Sequence, residues 1–155
     1  MISEAFLTRD YAIDAAAPLG EDDVETYLAV LVRLASLDGF DVAEESFIHR
    51  VAASLGLNAD EEARNAHKIA MTPSLSTSEL VGRVHDGGLR LCLLRDAYRL
   101  AAADGSVSDS EIRELGVIAK ALGISHASAA AVKAIALQEV RLHREFAQMV
   151  KLVRT

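Results

Sequence analysis

The stretch "RLASLDGFDVAEE", residues 33 to 45, decides how this chain folds, because "RLAAADGSVSDSE", residues 99 to 111, repeats it 66 positions later. Leu28, Leu31, Leu34 and Ala35 recur at helical spacing ahead of Asp38, as Leu94, Ala97, Leu100 and Ala101 do ahead of Asp104. By helical phase both aspartates continue an apolar stripe. Beyond the loop the offset becomes 67, so Glu44, Ile48, Val51 and Leu55 match Glu111, Leu115, Ile118 and Leu122, and both glutamates also fall at core phase. Each half thus reads as a helical hairpin followed by another helix. A hairpin that cannot bury its own apolar stripe packs on its copy, which predicts a pseudo-twofold bundle.

Working outward, apolar residues recur at helical spacing along almost the whole chain, while the alternation of strands is absent. The fold class expected is all-α, a bundle of about seven to nine helices. The spacing predicts helices near 2–16, ended by Pro18 and Gly20, then 22–38, 42–55, 59–71, 77–85, 88–104, 109–122, 126–137 and a last one toward 153. Asn58 and Ser125 suit N-cap positions, and Gly56 and Gly123 suit left-handed C-caps. A single domain is expected over 1–155, with repeat one about 22–71, repeat two about 88–137 and a C-terminal helix about 138–153.

Of the 155 residues 51% are hydrophobic and 25% charged, the balance of a globular chain, and the net charge is −7. Acidity of that order argues against a dedicated nucleic-acid binder, which needs clustered Lys and Arg. The charge is uneven: residues 1–71 carry 14 acids against 5 bases, and residues 138–155 carry 2 against 4. Cys92 is the single cysteine, read as a buried filler. With no transmembrane run and no signal peptide, the expectation is a soluble, cytoplasmic chain.

Four carboxylates, Asp38, Glu44, Asp104 and Glu111, are therefore expected to converge near helix ends. Gathered in a partly desolvated place, like charges repel, and a divalent cation such as Ca²⁺, Mg²⁺ or Mn²⁺ removes the conflict, since hard ions take carboxylate oxygens. Asp41, Glu45 and Asp109 are supporting candidates. Capping alone also accounts for both glutamates: Asp41-x-x-Glu44 and Ser108-x-x-Glu111 are capping-box patterns, and Asp-Gly readily ends a helix. Both roles can hold together. The spacing of an EF-hand is not met.

These loops, "LASLDGFDVAEE" and "LAAADGSVSDSE", each followed by a helix ending in "LGL" or "LGI", resemble the paired A-x-x-DG-x-(V/I)-S-x-x-E signatures of the TerB-like domain of tellurite resistance proteins. The resemblance covers about residues 22–137. It implies an all-α bundle with pseudo-twofold symmetry whose acidic residues bind a metal ion. Asp104, Glu111 and Asp38 match the motif; the first loop is one residue short, so Glu44 and Glu45 compete for one position. It further implies a role in resistance to tellurite and other stresses through a protein partner that is membrane-associated.

Enzymatic function is not expected. His49, His67, His85, His126 and His143 show no H-x-x-x-H or H-E-x-x-H spacing, and no P-loop or nucleophile elbow appears. A single cysteine offers no pair for reducing an oxyanion. The last segment places Val140, Phe146, Val150 and Val153 near one face with Arg141, Arg144 and Lys151 opposite, and is expected to dock on the domain's own core. Homodimerisation is left open.

Overall fold

A computed structural model of the chain describes residues 21–39, 41–55, 59–103, 105 and 107–154. The predicted helix at 2–16, the cap residues Gly56 and Asn58, and Asp104 lie outside the described residues. Among those described there are seven α-helices and no strand: α1 (Glu21–Ala35), α2 (Val42–Ser54), α3 (Ala59–Ala70), α4 (Thr77–Gly82), α5 (Gly87–Ala101), α6 (Asp109–Ala121) and α7 (His126–Arg154), with a 3₁₀ turn at Ser36–Asp38 after α1.

Local chemistry starts most of these helices. Asp41, Ser76 and Ser108 each accept from the backbone N–H three residues on, while Glu44, Glu79 and Glu111 reach back to the cap backbone, so three capping boxes are complete. The Asp86 side chain accepts from Leu89 N at 2.9 Å and starts α5 one residue earlier than predicted. Ser125 accepts from Ser128 N at 3.2 Å at the head of α7. Gly123, with φ of 70°, takes the left-handed conformation that ends α6.

Two expectations are corrected. The segments 126–137 and 138–153 form one continuous 29-residue helix, because no glycine or proline interrupts them and Arg141 and Glu145 pair one turn apart at 3.8 Å. The distal part of that helix also fails to dock: Phe146, Met149, Leu152 and Val153 are exposed, and Ala136 is the one buried residue of α7.

The core is built on the first helix of each half. In α1, Tyr27, Leu28, Leu31 and Leu34 are fully buried; in α5, Leu93, Leu94, Ala97 and Leu100 are their counterparts, joined by Ile48 and Leu55 of α2 and Ile118 of α6. Each large aliphatic side chain so buried contributes about 1.5–3 kcal/mol against chain entropy. Contacts are reciprocal between the halves: α1 packs on α3 as α5 packs on α7, α1 on α2 as α5 on α6, and α1 on α6 as α5 on α2. The helix α4, between the halves, lies against α1 and α6. No helix among the described residues is long and apolar enough to cross a membrane.

Candidate cation site at the paired acidic loops

The predicted ligands sit where helices end and begin. Ser36–Asp38 tightens into a 3₁₀ turn, with Ser36 Oγ donating to Val32 O at 2.7 Å. With three residues per turn rather than 3.6, the turn swings Asp38 off the apolar stripe, so the carboxylate is exposed rather than at core phase. Gly39 follows at φ 91° and ψ 138°, and Gly105 of the second loop has φ 98°. Side chains avoid that region, which explains why glycine stands at both places.

Glu44 and Glu111 do lie at core phase and are buried, each 7% exposed. Their burial is tolerated because Oε1 of Glu44 accepts from Asp41 N at 3.4 Å and Oε1 of Glu111 accepts from Ser108 N at 3.1 Å. Asp41 Oδ1 and Ser108 Oγ accept in return from Glu44 N at 2.7 Å and Glu111 N at 3.1 Å. The capping role read from the spacing is thus present in both halves. Each box occupies Oε1 of its glutamate.

One contact joins the loops. Ser108 Oγ donates to Asp38 Oδ2, so the Asp-Gly turn of the first half meets the capping box of the second, and the 3₁₀ turn packs on α6. Asp38, Ser108 and Glu111 are brought together. Glu44 is held in its own box with Asp41, and Asp104 lies outside the described residues. Asp109 and Glu45, the supporting candidates, are exposed. Among the described residues no three His, Cys, Asp or Glu side chains are grouped to hold a metal ion. Asp38, Glu44 and Glu111 thus do not form one group by themselves.

A second polar centre was not anticipated from the sequence. Asp96 of α5 is wholly buried, and its carboxylate accepts from Tyr27 Oη at 2.6 Å and from Arg99 Nη1 at 3.3 Å, with Arg95 Nε 3.7 Å away. Burial is the largest single influence on Arg95 and opposes its charge, but Asp96 together with Cys92, Tyr27 and Glu139 outweighs it and raises the guanidinium further. The signal existed: Asp96 stands between Cys92 and Leu100 at spacings of four, the same test that singled out Asp38. Nearby Cys92 is buried, and burial pushes its thiol up to about 12, which fits a packing role.

Comparison with protein-family models, with curated proteins and with solved structures returns no match to this chain.

Proposed function

We propose that the chain is a non-catalytic TerB-like module that binds a divalent cation between its two acidic loops and acts through a protein partner in a stress-related, cytoplasmic setting. The observation that carries this is the bond of Asp38 across the halves to Ser108, the residue whose capping box holds Glu111. Asp38, Glu44, Asp104 and Glu111 would hold the ion, and Ca²⁺, Mg²⁺ or Mn²⁺ suits an all-oxygen donor set. The ion would neutralise acids facing one another and lock the loops together. The reciprocal helix contacts support a pseudo-twofold arrangement of the halves. The uncovered apolar residues of α7 support an interaction role, with a membrane-associated partner or a second copy as its object.

A second proposal has its own observation. Both capping boxes are complete, which favours an interaction scaffold whose acidic loops only cap helices.

Calorimetric titration of chelator-treated protein with Ca²⁺, Mn²⁺ and Mg²⁺, repeated on Asp38→Asn, Asp104→Asn, separates the two. Saturable binding lost in the double variant is the expected result. Heats that stay at the dilution baseline up to millimolar metal leave the scaffold.

A further inference from the structure

A groove of about 720 Å³ runs between α2, α5 and α7, a volume in the range of small-molecule sites. Its walls are rich in hydrogen-bond donors. Helix α2 presents Ser46, Arg50 and Ser54 to it at intervals of four, one row along a helix face. Helix α5 adds Arg95 and Arg99, and α7 adds His143 and Arg144. Among the described residues Glu139 is the one acid of the lining. We propose that the groove binds a small organic phosphate, its phosphate oxygens held by Arg50, Arg99 and Arg144 and its apolar part laid along Val51 and Val140.

Charge selects an anion. Four guanidiniums stand here against two carboxylates, those of Glu139 and of the buried Asp96, so the region is net positive in a chain of net charge −7. A phosphate monoester carries about −1.5 to −2 at neutral pH, the charge that balances it. The side chains of Arg95 and Arg99 are 19% and 34% exposed, so both have given up much of their water, and an anion gains more from them than from guanidiniums in open solvent. The carboxylate of Glu139, 3.5 Å from Arg99 Nε, shows an oxyanion already drawn to this wall.

Geometry leaves donors for a ligand. The guanidinium carbons of Arg50 and Arg99 lie 6.0 and 5.6 Å from the ring centroid of Phe47, and Arg50 makes no hydrogen bond to the described residues. An aromatic face holds a guanidinium by its plane and leaves its N–H edges open. Arg99 spends Nε and Nη1 on Glu139 and Asp96, and Arg144 spends Nη2 on the Ala102 and Ala103 carbonyls, which leaves Nη2 of Arg99 and Nε and Nη1 of Arg144. Planar forks of this kind bind phosphate oxygens in pairs. The lining does not come with the repeat: Arg50 matches Val117 and Arg95 matches Ala29, so the basic groove belongs to one side of the bundle.

The test is calorimetry on the full chain, freed of metal and of chelator, with 1-naphthyl phosphate, inorganic phosphate and 1-naphthoate as probes. Saturable binding of one 1-naphthyl phosphate per chain is expected, at least about tenfold tighter than either other probe, since each of those lacks one half of the match. Arg50→Gln is expected to weaken it at least about tenfold through loss of one charge-assisted pair. Arg50 is exposed and bonds to no member of the Asp96 cluster, so the variant keeps the fold. Arg113→Gln, at an exposed position of α6 away from the groove, leaves binding unchanged. Heats at the dilution baseline up to about 10 mM probe overturn the site. Equal weakening by the two substitutions does so too, since it marks diffuse attraction between anion and arginine. 1-Naphthoate binding as tightly as 1-naphthyl phosphate overturns the choice of phosphate, and inorganic phosphate doing so overturns the apolar half. With no metal present, each result is independent of the cation proposal.

Discussion

Arg33 and Arg99 hold the same place in the two halves and bind different things. Arg33 donates to Ala70 O from Nε at 3.1 Å and Nη2 at 2.9 Å, and to Leu75 O from Nη1 at 2.6 Å, so it closes the end of α3 and the chain leading to α4. Arg99 instead reaches two carboxylates, Asp96 at 3.3 Å and Glu139 at 3.5 Å. The cause lies in the third helix of each half. α3 stops at Ala70 and leaves carbonyls without helical partners, whereas α7 runs on to Arg154, its carbonyls spent in its own ladder, so Glu139 takes the arginine. One repeated residue type serves as a C-terminal clamp in one half and as part of a buried ionic cluster in the other. Sequence repetition fixes where a side chain stands; what it binds depends on where neighbouring helices end.

That contrast can be broken most severely at Asp96, whose counterpart in the first half is the buried, apolar Val30. Asp96→Ala strands Arg95 and Tyr27 without their acid and is expected to cost about 3–5 kcal/mol in denaturant unfolding. Val30→Ala removes two methyl groups and is expected to cost about 1.5–2 kcal/mol. Equal losses at the two positions would show that the buried cluster contributes nothing beyond packing.

The arginine clamp comes next. Arg33→Ala is expected to cost about 2–3 kcal/mol through lost charge-assisted bonds to the Ala70 and Leu75 carbonyls, measured the same way. Arg33→Lys recovers little, since one ammonium cannot span both carbonyls as the planar fork does. Full recovery by lysine would mean that charge alone matters at the end of α3.

The smallest effects belong to the two loops and sharpen the comparison between them. Asp41→Ala and Ser108→Ala each remove an N-cap, a loss of about 1 kcal/mol. Ser108→Ala also releases Asp38, so its effect should exceed that of Asp41→Ala by a further few tenths to about 1 kcal/mol, the scale of one net hydrogen bond. In an Asp38→Asn background the excess should shrink. An unchanged excess would show that the bond between the loops contributes no stability.

How much was legible follows from these residues. Helix starts were readable because capping is local: Asp41, Ser108 and Ser125 act within three residues of themselves. The burial of Glu44 and Glu111 followed from helical phase, since α2 and α6 are regular helices through those positions. The same reasoning failed at Asp38, where a 3₁₀ turn breaks the period, and at the division of α7, where changing residue types suggested a boundary that no helix-breaking residue enforces. Of the four predicted ligands, the phase of two was legible; the bond of Asp38 to Ser108 was not, because it depends on one half approaching the other.

By itself the sequence determined the helical class, the doubling of a hairpin and the residues that cap it, all set by interactions within a few positions along the chain. Tertiary structure alone decided that Asp38 meets Ser108, that Asp96 accepts from Tyr27, and that Phe146, Met149 and Val153 of α7 stay exposed. The first two join residues about 70 positions apart. Such outcomes rest on how helices of fixed phase pack and where each one ends, which no local pattern encodes.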